Sequence, residues 1–210
     1  MVCLAGMSVD SVDEEKQQLR RTARDARKTW AGGAGEQAAV RLAENFSKIA
    51  ADFPSGSVLG SVAGYWPMAD EMDVRPLLTR LAEEGREIAL PVVVAKDAPL
   101  IFRRWRPGLV LEDGDFGTRH PGPDEPEVTP AIVLVPLLAF DAQGYRLGWG
   151  GGFYDRTLAR LRASGPVVAV GVAYQSQLVD SVPRTATDEA LDWMVTDSGV
   201  LEIPREIKNR

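Results

Sequence analysis

"AIVLVPLLAFDAQGYRLGWGGGFYD", Ala131 to Asp155, changes character twice. Ala131 to Phe140 is continuously apolar, the pattern of a strand buried on both faces. Arg146 to Asp155 then sets four glycines around Trp149, with an arginine at the start and an aspartate at the end. From Tyr154 to Ala163 the pattern is helical, stopped by Ser164, Gly165 and Pro166. Buried strand, glycine loop and helix in succession are the building unit of a parallel α/β sheet.

The rest of the chain fits that unit. Asp13 to Trp30 reads as a helix rich in cations (Lys16, Arg20, Arg21, Arg24, Arg27, Lys28) behind the acidic start "SVDEE". "AGGAG", Ala31 to Gly35, predicts a break, and Glu36 to Phe53 a second helix with Val40, Ala43, Phe46 and Ile49 at helical spacing. "SVLGSVAGYW" is a β-type run, followed by the loop "PMADEMD" and a helix over Val74 to Glu84 ended by Gly85. "EIALPVVV" and "LIFRRW" read as strands; Pro107 to Pro130 is loop, with brief pairing at "GLVLED". "VVAVGVAY" is a further buried strand and "LDWMVTD" a last short one. The expected fold class is α/β: three layers, a mostly parallel twisted sheet with helices on both faces, in a single domain over 13–204 with flexible segments at 1–12 and 205–210.

Composition narrows the function classes. The chain has 210 residues, 45% of them hydrophobic and 26% charged, as in a folded globular protein. A net charge of −6 disfavours a polyphosphate backbone, so no nucleic-acid partner is expected. Cys3 is the single cysteine, which excludes an internal disulfide and a cysteine-rich metal site. No apolar run reaches the roughly 20 residues of a membrane helix, so the expectation is a cytoplasmic protein without a membrane partner. His120 is the single histidine, and no serine–histidine or cysteine–histidine set can be assembled around it.

Between a buried strand and a helix, the glycine run lies where open α/β sheets bind ligands. Glycines let backbone N–H groups approach an anion, Arg146 offers a guanidinium fork, and Asp155 is an oxygen donor for magnesium. No Gly-Lys-Ser/Thr follows, so it is not a Walker A loop, and the dinucleotide spacing is also absent. A plain tight turn is the alternative. Lys16 and Arg20, four apart, share a helix face and suit a triphosphate, although a solvated charge run explains them too. Trp66 beside Asp70, Glu71 and Asp73 suits a flat heterocycle with N–H donors, or else a core tryptophan and a helix cap. Asp188 and Asp192 serve equally as metal ligands or surface charge.

"VPLLAFDAQGYRLGWGGGFYDRTL" resembles the signature of the 5-formyltetrahydrofolate cyclo-ligases, or methenyltetrahydrofolate synthetases. "KQQLR" is similar to that family's basic N-terminal motif, "MADEMD" to its acidic loop and "VPRTATDEALDWMVTD" to its C-terminal end. The likeness therefore runs from Lys16 to Asp197. It implies the fold shared with sugar-phosphate isomerases and CoA transferases. It also implies ATP- and magnesium-dependent cyclisation of 5-formyltetrahydrofolate to 5,10-methenyltetrahydrofolate, with release of ADP and phosphate. ATP would be held by Lys16, Gln17, Gln18, Leu19 and Arg20, and by Arg146, Leu147, Gly148, Trp149, Gly150, Gly151, Gly152, Phe153 and Tyr154. The folate would meet Trp66, Glu71 and the stretch Trp149 to Phe153. Arg146 and Asp155 would be catalytic, with Asp155 and Asp188 holding Mg2+. A monomer whose partners are small molecules is expected. In "FGTRHPGP" this chain has His120 where the family often has an acid, and His120 is left out of the site. The rival readings are a folate-storage protein without turnover, and an isomerase or transferase of the same fold.

Overall fold

A computed structural model describes residues 9–50, 53 and 60–204. Of the segments expected to be flexible, 1–12 and 205–210, residues 1–8 and 205–210 lie outside the described residues, and 9–12 belong to the first helix. Helix α1 runs from Val9 to Ile49 without the break expected at Ala31 to Gly35, and starts ahead of the expected Asp13. Gly32, Gly33 and Gly35 lie inside this helix, and an interior glycine weakens a helix by about 1 kcal/mol, yet both flanks are anchored. Ala38, Leu42, Phe46 and Ile49 are buried on one side of the run, and Lys16 and Arg27 on the other. Tertiary packing thus overrides the local preference for a turn.

After α1 come β1 (Val62–Ala63), α2 (Arg75–Glu83), β2 (Ile88–Val92) and β3 (Ile101–Trp105). Gly85, at φ +85°, ends α2 as expected. The Pro107–Pro130 loop holds the two-residue pair β4 (Glu112–Asp113) and β5 (Arg119–His120). The apolar run is not one strand. β6 (Ile132–Pro136) stops at its proline, and Ala139–Phe140 (β7) turns away to pair with Arg146–Leu147 (β8). Pro136 has no N–H to extend a ladder, and the freed carbonyls of Leu137 and Leu138 accept the buried Gln177 amide at 2.8 and 3.1 Å. The chain ends with α3 (Phe153–Ser164), β9 (Val168–Ala173), β10 (Trp193–Thr196) and β11 (Val200–Glu202), a hairpin strand with no apolar pattern to announce it.

The seven strands lie in the order β11-β10-β9-β6-β1-β2-β3, parallel except at the two edges. Alternate residues separate the layers. Val62, Ile88, Leu90, Ile132, Leu134, Val168 and Val170 face Leu42, Phe46, Leu77 and Leu78 of α1 and α2. Ala63, Ala89, Val133, Val135 and Ala169 face Leu158 and Leu161 of α3. From β1 the chain proceeds outward to β2 and β3, whereas from β6 it proceeds the opposite way to β9 and β10. The carboxyl ends of β1 and β6 therefore flank a topological switch point, where the outgoing loops diverge and leave a crevice.

The continuous α1 makes a prediction of definite sign. A Cβ built on Gly32 or Gly33 meets nothing within 4 Å. Gly32→Ala and Gly33→Ala should each stabilise the protein by about 0.5–1 kcal/mol, read as a higher urea midpoint. Destabilisation would mean a turn at this point.

Candidate active site

Two loops line the crevice, one leaving β1 and one reached through β6. In the first, the Tyr65 hydroxyl donates to the Met72 carbonyl at 2.8 Å and the Met68 N–H donates to Glu71 Oε2 at 3.0 Å. These bonds fix Glu71, which is only 6% exposed. Trp149 of the second loop donates its indole N–H to Glu71 Oε1 at 3.1 Å. Burial pushes the Glu71 carboxyl above its ordinary value, opposed by the Met68 and Trp149 bonds and by the charge of Arg27.

The second loop is pinned by Asp141, the aspartate of the Ala-Phe-Asp signature. Its Oδ1 accepts the N–H groups of Gln143 and Tyr145 at 3.0 Å each, and its Oδ2 accepts that of Val182 at 2.9 Å. The glycines beyond β8 have specific duties. Gly150 sits at φ +103° with the Arg20 guanidinium carbon 3.3 Å from where a Cβ would stand, and Gly152, at φ +64°, opens α3. No side chain caps that helix start. Arg20 donates from Nε to the Gly148 carbonyl at 3.0 Å. Arg20 therefore lies along the same loop whose helix terminus favours an anion.

At the edge of the crevice, Lys16 meets Asp188 at 2.6 Å, and the same Asp188 oxygen accepts the Thr185 N–H at 2.6 Å. Arg146 donates to Asp155 Oδ1 at 2.7 Å and also to the Glu189 carbonyl, while the Glu189 N–H closes on Asp155 Oδ1 at 3.0 Å. Burial lowers the Arg146 pKa, with Asp155 and then Asp188 opposing, so both carboxylates lie within its field. Each carboxylate uses one oxygen for these bonds; no bond among the described residues reaches Asp155 Oδ2 or Asp188 Oδ1. Two hard oxygen donors within the field of one arginine could hold magnesium, which commonly takes one or two carboxylates and completes its shell with phosphate and water. Among the described residues there is no cluster of three or more metal-ligating side chains.

Lys16, Arg20, Glu71, Arg146, the glycine loop, Asp155 and Asp188 thus gather at one edge of the sheet. Gln17 and Gln18 are exposed, with Gln18 bonded to Arg21, and Leu19 packs on Leu147 and Val182. Trp66 meets Trp105 at a tilt, with ring centres 6.3 Å apart, and lies under the Arg75 guanidinium. His120 Nδ1 donates to the Pro121 carbonyl at 3.0 Å. Tyr154 lies within the fields of Glu71 and Arg146, its phenol kept protonated by burial. Sequence reading missed Arg24 and Arg27, whose guanidinium carbons lie 4.8 and 5.1 Å from the Trp149 ring centre. The signal was present: positions 16, 20, 24 and 27 continue one helix face. A separate hollow of about 470 Å³ between α2 and β3 has its Arg104 and Arg106 already paired with Glu87 and Glu125.

The chain is similar to known proteins over most of its length. Residues 12–197 match the model of the 5-formyltetrahydrofolate cyclo-ligase family. A 5-formyltetrahydrofolate cyclo-ligase of Escherichia coli is 34% identical over 173 residues, covering 80% of this chain and 90% of that one. One from Mycolicibacterium smegmatis is 36% identical over 144 residues, covering 65% and 73%. The solved 5,10-methenyltetrahydrofolate synthetase of Aquifex aeolicus superposes with a TM-score of 0.70 at 30% identity, covering 93% of this chain and 97% of that one.

The Lys16–Asp188 pair makes the acid limb of stability testable. Burial works to raise Asp188, but hydrogen bonds from Lys16 and Thr185 outweigh it and hold its pKa below the ordinary 3.8. Its contribution is therefore complete above 3.8 and is lost as pH falls through the lower folded-state value. Asp188→Asn should flatten the fall in urea midpoint in that window; an unchanged acid limb would contradict the pairing.

Proposed function

The chain belongs to the 5-formyltetrahydrofolate cyclo-ligase family and is an enzyme of that kind; from that premise we propose how its crevice works. ATP is the co-substrate, its phosphates lying along the glycine loop against the start of α3, with Lys16 and Arg20 as the cations that meet them. The pterin end of 5-formyltetrahydrofolate lies at Glu71, whose carboxylate accepts from the N–H groups of the ring, and Trp149 forms part of the shared wall. The observation that carries this reading is Trp149 itself: it belongs to the glycine loop, yet its indole is bonded to Glu71. Nucleotide and folate subsites are thereby one fixed distance apart.

The chemistry needs that adjacency. The formyl oxygen is a poor nucleophile and a worse leaving group. In the proposed reaction it attacks the γ-phosphorus, an O–P bond forms, and the bond to the β,γ-bridging oxygen breaks with its electron pair leaving on ADP. The formyl carbon becomes the electrophilic centre of an iminium phosphate. The N10 lone pair attacks it, the N10 proton passes to solvent or phosphate, and the C–O bond breaks as inorganic phosphate departs, leaving the methenyl bridge. The protein contributes alignment and charge stabilisation, as in other phosphoryl transfers. Lys16 and Arg20 balance charge on the transferring group; Arg146 fixes Asp155 in place. Asp155 and Asp188 would hold magnesium, which when bound neutralises charge on the phosphate oxygens. In this reading Trp66 supports the Glu71 loop from the Trp105 side. A cytoplasmic location is in keeping with this chemistry, and among the described residues no helix is long and apolar enough to cross a membrane.

The test is near-ultraviolet absorbance of the protein with 5-formyltetrahydrofolate, where only the methenyl product absorbs. A rise that requires both ATP and magnesium, matched by ADP release, is expected; folate binding without turnover would instead indicate a storage protein. Lys16→Ala should raise the KM for ATP about tenfold or more and that for folate little, and Glu71→Gln the reverse, as loss of a charge-assisted contact predicts.

A further inference from the structure

We propose that Arg27 is a positioning residue which locks Glu71 and Trp149 into the geometry that receives the folate. This extends the assignment of Glu71 and Trp149 to the folate subsite and rests on it. Arg27 is 1% exposed, on a stretch of α1 whose neighbours are mostly exposed. Its guanidinium forks onto Asp70, with Nε and Nη2 each 3.1 Å from a carboxylate oxygen. Nη1 reaches the Leu137 carbonyl at 3.4 Å and stands 3.9 Å from Glu71 Oε1. The guanidinium carbon lies 5.1 Å from the Trp149 ring centre. One side chain on α1 thus touches the loop after β1, the segment after β6 and the glycine loop. These are the three segments that bound the crevice.

A planar five-donor fork can serve these partners together, and a point-charge ammonium cannot. Arg27 also meets the electrostatic need of Glu71. The groups facing that carboxylate are Arg27 from α1, Tyr65 and Asp70 from its own loop, Trp149 from the glycine loop and Tyr154 from α3. Among these, Arg27 is the sole positive charge. It favours the ionised Glu71 that N–H donors of a pterin require.

The experiment is calorimetric binding of 5-formyltetrahydrofolate to the intact wild type and to Arg27→Lys across a pH series, with the KM for ATP and the urea midpoint measured alongside. Arg27→Lys should raise the folate Kd roughly tenfold or more, as expected when a buried charge pair loses its bidentate geometry. The KM for ATP should stay within about twofold. The acid fall-off in folate affinity should begin at higher pH in the variant, because Glu71 loses its forked neighbour. Asp70→Asn, which loosens the fork from its more exposed side, should weaken folate binding less and in the same direction, and carries the test if Arg27→Lys fails to fold. Equal folate affinity in wild type and a folded variant, or equal loss for ATP and folate, would overturn the proposal. Wild type that binds no folate would instead sink the subsite assignment on which it stands.

Discussion

Parallel pairing of β1 with β6 is the constraint on which the rest of the molecule depends. Val62 stands opposite Ile132 and Ala63 opposite Val133. β1 is only two residues long and is hydrogen-bonded on both sides, to β2 and β6. Because the chain leaves these neighbours in opposite directions, nothing crosses their carboxyl ends. The Glu71 loop and the glycine loop are delivered to the two banks of the same crevice, and α1 lies along the rim. A different neighbour for β1 would leave the same motifs intact and the site dispersed.

The charges in the crevice are organised as pairs rather than as a cationic patch. Lys16 is matched by Asp188, Arg146 by Asp155 and Arg27 by Asp70. Burying a lone charge is expensive, so these three buried or half-buried cations each have a carboxylate, whereas Arg20 donates to the Gly148 carbonyl and Arg24 lies over the Trp149 ring. A chain of net charge −6 can in this way gather cations at one edge of its sheet. The positive potential is local and conditional on how the carboxylates are engaged.

Much of this was legible in the sequence. The unbroken apolar runs of Val167 to Tyr174 and Ala131 to Phe140 announced buried strands, and the glycine run announced a close backbone approach. What was hidden depends on partners distant in the chain. "AGGAG" has the local character of a turn, and only the anchors at Arg27 and Leu42 on its two sides make it helical. Ala139 and Phe140 are as apolar as the residues before them, and their departure from the sheet follows from Pro136 and the Gln177 amide. Arg27 looks like any member of a basic run until Asp70, 43 residues away, is placed against it. Arg146 reads as a free cation, and folding commits it to Asp155.

The unbroken α1 has a mechanical consequence. At 1.5 Å per residue, Lys16 stands about 33 Å along the axis from Ala38, where the helix enters the main core. A rod of that length transmits angle as displacement: a tilt of about 2° at the buried end carries Lys16 through roughly 1 Å, enough to spoil alignment of reacting groups. The packing of Phe46 and Ile49 against the sheet therefore sets the aim of a cation at the far end of the molecule. Residues remote from the crevice thus share in setting its geometry.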